Sequence, residues 1–412
     1  MITWRQLGAA SAINYCQSVV HHKDEHQMSL TTKAPLLNGV RVVDLTTVVF
    51  GPYCTQTLAD LGADVIKIET PAGDTFRYSA PPARTRGMSP GYMNFNRGKR
   101  SLVLDLKTPE GLAEIKALIV GADVFIHNVR EKAIERLGLG YAAVKALKDD
   151  IVYVHCVGYG SDGPYANRPA YDDVIQAASG TTTLLSRVDG DPAPRYFPSL
   201  IADKVSGLHG AYAVMAACIH RLRTGEGQFV EVPMFELFTE FMLKEHLGGL
   251  TFDPPNGPVG YARQIDPHRQ PFPTADGYIC FVAYSPDAWT TIFDILGAPE
   301  VMQAPRFATP QLVAQNIDAL YQAAAERMPA RSTAAWMAAF EAAEIPAMAV
   351  RDLADIMDDP HLKATDFFQR REHPTEGAWF DMRAPVRFGA APDVEAGPAP
   401  TLGQHPGATW RD

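Results

Sequence analysis

From residue 38 onward, short β-branched apolar runs alternate with segments of helical period. "GVRVVDLT" (39–46), "DVIKIET" (64–70), "RSLVLDL" (100–106), "DVFIHNV" (123–129) and "IVYVHCVG" (151–158) predict strands. Between them "GPYCTQTLADLGA" (51–63), "TPEGLAEIKALIVGA" and "KAIERLGLGYAAVKAL" predict helices. The second of these places Thr108 at its N-cap and Pro109 at its first helical position. Crossovers of this length make neighbouring strands parallel, so the fold class is α/β with a mainly parallel sheet. Polar residues gather just after the strands: Thr47 to Gly51, Thr70 to Arg77, Lys107, Asn128 with Arg130, and Gly158 to Gly163. Such sheets bind ligands beyond the carboxyl ends of their strands, so a site is expected there.

"DKVSGLHGAYAVMAACIHRLRTGEG" predicts a long helix with an apolar stripe of Val205, Leu208, Tyr212, Met215 and Ile219, ended by Gly225. "TFDPPNGPVG" (251–260) reads as a linker. A hairpin-like "PFPTADGYICFVAY" and Ala-rich helices then mark a smaller α+β domain, and "WFDMRAPVRFG" returns to strand patterning. The expected organisation is an extension over 1–35, a large domain from 36–245 and 345–412, and a small domain with linkers over 246–344. Met28, followed by "SLTTKAPLLNGVRVVDL", resembles a natural start, so residues 1–27 are read as a non-structural extension.

Composition narrows the classes. The 412 residues are 46% hydrophobic and 20% charged, as in globular chains, with a net charge of −10 that disfavours nucleic acid as a partner. No apolar run approaches the roughly 18–20 residues needed to span a bilayer. The opening "MITWRQLGAASAINYCQSVV" is too interrupted for a signal peptide. The cysteines Cys16, Cys54, Cys156, Cys218 and Cys280 form no CxxC, which favours a cytoplasmic setting with reduced thiols. "HHKDEH" (His21, His22, His26) has no partner run for a metal site, so none is expected.

Several stretches carry chemistry. "GYGSDG" (158–163) matches GxGxxG after a strand, but Pro164 follows and no helix opens, so a flexible loop bordering a pocket is favoured over a dinucleotide site. "RTRGMSPGYMNFNRGKR" (84–100) gathers Arg84, Arg86, Arg97, Lys99 and Arg100 among Tyr92 and Phe95, which suits either a solvated loop or a polyanionic ligand. Asp172, beside Tyr171, precedes a helical run and fits an N-cap. Asp203, in "FPSLIADKVSG", fits an N-cap as well. A carboxylate there is also held ionised by the helix dipole and stripped of water by apolar neighbours, which describes a nucleophile. No Ser/His/Asp or Cys/His set, GxSxG, P-loop or metal spacing stands out.

Taken together, the chain resembles the class III CoA-transferase family (CaiB/BaiF). The similarity rests on "LNGVRVVDLTTVVFGPYCTQTLADLGADVIKIETPAGDTFR", "NFNRGKRSLVLDLKTPEG", "GYGSDGPY", "YDDVIQAASG", "IADKVSGLHGAYAVMAACIHRLRTGEGQFVEVPMFE", "DDPHLKATDFF" and "LGQHPG", in family order. The resemblance implies an interlocked ring-like homodimer with a Rossmann-like large domain. It implies CoA transfer between an acyl-CoA thioester and a small carboxylic acid, with CoA as substrate and no tightly bound cofactor. Asp203 inherits the nucleophile's role, through an aspartyl mixed anhydride, and Asp172 that of a second active-site acid. CoA contacts carry over to Leu104, Lys107, Asn128 and Arg136, with Val48 and Phe50 near the thioester.

The chain also departs from the family pattern. Val49 replaces the formyl-CoA enzyme's first-loop glutamine, and "YARQIDPHRQPFPTADG" is no glycine-rich lid, so the oxalate and formyl-CoA pair is not expected. Thr70 stands where that enzyme has a CoA-binding arginine, which turns attention to Arg77, Arg97 or Arg100 for the phosphates. Arg263, His268 and Arg269 are candidates for a dicarboxylate. The alternative, a 2-methylacyl-CoA racemase of the same fold, needs paired acid and base groups. Racemases show a His-Asp pair where this chain has Tyr171-Asp172.

Overall fold

Six strands with apolar cores, β1 Arg41–Leu45, β2 Asp64–Glu69, β3 Arg100–Val103, β4 Val124–His127, β5 Val152–Val157 and β6 Gln228–Pro233, pair in the order β3-β2-β1-β4-β5-β6. Every pairing is parallel, as the alternating pattern predicts. The computed structural model describes residues 34–411. Most of the expected extension lies outside the described residues, with Cys16, His21, His22 and His26.

The helices of this half are α1 Phe50–Asp60, α2 Pro90–Asn96, α3 Pro109–Val120, α4 Glu131–Arg136, α5 Tyr141–Leu147, α6 Asp172–Ala178, α7 Leu184–Asp189, α8 Ile201–Thr224 and α9 Met234–His246. The Thr108 hydroxyl accepts from Gly111 N at 3.1 Å, the N-cap expected for α3. One predicted helix is two: "KAIERLGLGYAAVKAL" breaks into α4 and α5 at Gly138, whose φ of 67° ends the first. Separate apolar clusters cover the two faces of the sheet, one including Val42, Val65 and Val154, the other Val43, Ile66 and Phe125. A both-sided core is what a parallel sheet requires.

Helix α8 departs from the expected facing. Its buried face is small: Ala202, Asp203, Ser206, Gly207, Gly210, Ala211, Val214 and Ala217. The predicted stripe splits: Val205 and Met215 pack partly against the core, while Leu208, Tyr212 and Ile219 are exposed, with Leu222 beyond them. The reason is close packing on α1. A Cβ on Gly207 would meet the Phe50 carbonyl oxygen at 2.9 Å, and one on Gly210 would meet the Cys54 sulfur at 3.2 Å. Small residues win this face because they let the helices approach.

Residues 272–345 build their own core around Phe281, Trp289, Phe293, Trp336 and Phe340. It lies against the antiparallel strands β7 Phe272–Pro273, β8 Tyr278–Phe281 and β9 Ala347–Ala349. A hairpin follows, β10 Phe368–His373 with β11 Gly377–Met382. The chain end returns to the large sheet, where His405 N donates to Ser101 O at 3.0 Å and Trp410 Nε1 to Leu118 O at 3.2 Å.

Candidate active site

The strand order reverses between β1 and β4, and such a reversal opens a crevice between the loops that follow. Asn128, after β4, spans it. Its Oδ1 accepts from Thr47 N at 3.1 Å, and its Nδ2 donates to Thr47 O at 2.9 Å. Asn128 thereby joins the two loops that flank the crevice. Val48, the next residue, has a φ of 73°, in the left-handed region that a β-branched side chain disfavours. Phe50 is buried at the start of α1.

Asp203 lies in the first turn of α8, buried to 5% exposure. Leu200, not Asp203, is the N-cap, so the helix begins earlier than expected. Asp172 takes over part of the capping: its Oδ1 accepts from Asp203 N at 3.0 Å, and its Oδ2 from Gln176 Nε2 at 2.7 Å. Gln176 in turn holds the approach to α8, accepting from Phe197 N at 2.9 Å and donating to Ser199 O at 3.2 Å. Asp172 itself opens α6 behind an N-cap at Tyr171. The helix N-terminus that favours an ionised Asp203 is opposed by its surroundings. Burial, then the charges of Asp172 and Asp173, push its carboxyl up to about 7. One helical turn further on, Gly207 abuts the Phe50 carbonyl, which sets Asp203 beside the Val48–Phe50 loop.

The remaining candidates divide by exposure. Leu104 is buried just after β3, while Lys107, in the loop after β3, and Arg136, at the end of α4, are exposed. Arg77 and Arg97 are buried and saturated. Arg77 grips Glu69 through two bonds of 2.7 Å and also donates to Gly87 O, Tyr92 and Pro400 O. Arg97 bonds Asp60 and Asp381, each at 2.7 Å. Arg100 pairs with Asp64 at 2.6 Å and Lys99 with Asp44 at 3.1 Å. The basic segment is therefore largely consumed by acids distant in sequence, and only Arg84 and Arg86 stay exposed. Arg263 is likewise engaged, by Tyr321 and the Ala283 carbonyl.

In the "GYGSDG" loop, Gly160 N donates to Glu236 at 2.9 Å and Ser161 N to Glu231 at 3.1 Å. Carboxylates occupy amides that a pyrophosphate would use. Among the described residues, no group of three His, Cys, Asp or Glu is placed to hold a metal ion.

A set of buried ions under the Thr46–Val49 loop escaped the sequence reading. Lys67 is fully buried in β2, 3.0 Å from Asp74, and donates to Thr46 O at 2.7 Å. Burial opposes its charge, but Asp74, Asp44 and Glu69 outweigh that and hold its pKa above the usual lysine value. Likewise burial would raise Asp44, yet Lys99 and Lys67 prevail and lower it. The signal was present. A strand buried on both faces reads as continuous apolar residues, and "DVIKIE" breaks that rule three times, with Asp64, Lys67 and Glu69.

The sequence model of CoA-transferase family III matches residues 37–406. A succinate–glutarate CoA-transferase of Agrobacterium fabrum is 31% identical over 389 residues, covering 91% of this chain and 95% of its own. The succinyl-CoA:glutarate CoA-transferase of Homo sapiens is 32% identical over 373 residues, 90% of this chain and 84% of its own. Among solved structures, a CaiB/BaiF family protein from Brucella suis is similar with a TM-score of 0.77 at 30% identity. It spans 91% of this chain and 98% of its own. Rv3272 of Mycobacterium tuberculosis has a TM-score of 0.78 at 28% identity, with the same two coverages.

Proposed function

The chain belongs to CoA-transferase family III and is a CoA-transferase, and from that premise we propose that Asp203 carries the acyl exchange. The ionised carboxylate attacks the acyl-CoA carbonyl, the C–S bond breaks, and CoA leaves as thiolate while an aspartyl mixed anhydride forms. The thiolate then attacks the aspartyl carbonyl, which releases the donor acid and leaves an aspartyl thioester. The acceptor carboxylate displaces CoA again to give a second anhydride. A final thiolate attack on the acceptor's carbonyl forms the new thioester and frees Asp203.

One observation carries this reading: a carboxyl buried beside the switch-point loop, with its pKa raised to about 7. A carboxylate of raised basicity is a better nucleophile and is still half ionised near neutrality. Asp172 positions it through the 3.0 Å bond to its amide. CoA is held by Leu104, Lys107 and Asn128, which follow β3 and β4, and by Arg136 at the end of α4, while Val48 and Phe50 face the thioester. Arg77 and Arg97 leave the set of phosphate ligands, because their donors are spent on Glu69, Asp60 and Asp381.

Relatives named for succinyl-CoA and glutarate favour a dicarboxylate exchange. Self-association into a homodimer covers the outward apolar stripe of α8, where Leu222 is 82% exposed. The test is CoA exchange between succinyl-CoA, or other thioesters, and a panel of free acids. Asp203→Asn is expected to lose at least about a thousandfold in rate. Exchange by no pair, or an active Asp203→Asn, sinks the proposal.

A further inference from the structure

Val48 is held in its disfavoured conformation by groups outside its own loop. Both oxygens of Asp74 accept from Val48 N, at 3.0 and 3.2 Å. Asp74 is itself fixed twice, by Lys67 Nζ at 3.0 Å and by Phe76 N at 2.9 Å. Lys67 reaches on to Thr46 O at 2.7 Å. Asp44 holds Thr46 N at 2.9 Å and its hydroxyl at 2.5 Å. From the crevice side, Asn128 takes both polar groups of Thr47. Backbone groups of three successive residues are thus clamped by side chains, and those that hold Thr46 and Val48 are buried. Lys67, Asp74 and Asp44 are at most 1% exposed.

A non-glycine residue at positive φ persists only where its surroundings over-determine it, and such strain collects at functional sites. Here the over-determination is visible, and the clamped loop adjoins Asp203 through Phe50 and Gly207. We infer that Asp74, fixed by Lys67, is a positioning residue for CoA transfer: it holds Val48 at positive φ and so sets the loop that faces the thioester. This rests on the transfer reading above. It adds a mechanical part that touches no substrate.

The test is a double-mutant cycle between Asp74→Asn and Val48→Gly, because glycine takes positive φ without help. Asp74→Asn alone is expected to lower kcat about tenfold or more while KM for the CoA donor changes less, since left-handed strain is released into a misplaced loop. In the Val48→Gly background the same substitution is expected to cost about threefold or less. An equal loss in both backgrounds overturns the inference, as does a loss confined to KM. Melting temperature gives an independent reading. Relief of strain predicts that Val48→Gly melts higher than the native chain, against the usual direction for glycine. A lower melting temperature overturns the inference even if Asp74→Asn fails to fold. The melting arm needs no turnover, so a wrong transfer reading shows as absent exchange in every variant and not as a changed cycle.

Discussion

The Oδ1 of Asp172 accepts from the backbone N–H of Asp203 at 3.0 Å, so one buried acid caps the helical turn that carries another. The bond orients Asp203, and the charge that makes it opposes Asp203's ionisation. Asparagine at 172 keeps an acceptor for the bond and removes the charge. Asp172→Asn is therefore expected to stay active and to shift the pH midpoint of kcat/KM downward by about one unit. Alanine loses both effects and costs more in rate. A pH–rate profile checks this, and an unmoved midpoint refutes the coupling.

Stability and activity should run in opposite directions with pH at Asp203. The folded carboxyl titrates at about 7, above the ordinary 3.8 of the unfolded chain. Between those values the native state binds the extra proton, so stability is highest below the lower one, falls as pH rises, and levels off above about 7. On the proposed mechanism, the ionised nucleophile gains population over the same interval. Asp203→Asn removes the titration. It is expected to match the native chain's melting temperature near pH 4 and to exceed it by several degrees at pH 8, for a difference of roughly 4 kcal/mol or less. Melting curves at the two pH values decide it. Equal midpoints at pH 8 would mean that Asp203 titrates normally.

The contact between α8 and α1 gives a graded test. Gly207→Ala sets a methyl against the Phe50 carbonyl at 2.9 Å, while Gly210→Ala meets only the Cys54 sulfur at 3.2 Å. Backbone does not yield as a side chain does, so Gly207→Ala is expected to cost about 1–3 kcal/mol in stability and Gly210→Ala less. Gly207 is one turn from Asp203, so its substitution should also lower kcat, by about tenfold to a hundredfold. Paired denaturation and rate measurements would expose the failure: Gly210→Ala the worse of the two, or no kcat effect from Gly207→Ala.

The strands and their parallel order were legible because each is a short β-branched run followed by a helix of crossover length. The crevice was legible too, since polar residues cluster at strand ends. What could not be read were choices made by tertiary packing. Hydrophobicity assigned the inner face of α8 to Leu208, Tyr212 and Ile219, but the approach of α1 selects Gly207 and Gly210 instead. Asp203 had the composition of an N-cap, and burial in the fold, together with the charge of Asp172, remote in sequence, makes it a raised acid inside the first turn. Arg97 looked like a phosphate ligand because its partners, Asp60 and Asp381, are invisible in a local window. The family resemblance pointed to Asp203, and the geometry adds why that carboxyl differs from its neighbours.

Two kinds of basic residue should then separate cleanly in one experiment. Lys107, in the loop after β3, and Arg136, at the end of α4, are exposed, whereas Arg97 is buried against Asp60 and Asp381. Neutralising an exposed phosphate contact removes binding shared by ground and transition states. Lys107→Met and Arg136→Met are therefore expected to raise KM for the CoA donor several-fold, with kcat little changed and a weaker dependence on salt. Arg97→Met leaves Asp60 without its cation and Asp381 with Arg371 alone, at 3.4 Å. It should lower the melting temperature sharply, by about 3–5 kcal/mol of stability, whatever the substrate. Steady-state kinetics beside thermal denaturation distinguish the two. A raised KM with unchanged melting for Arg97→Met would return that guanidinium to the CoA site, and a lowered melting temperature without a KM effect for Lys107→Met and Arg136→Met would remove them from it.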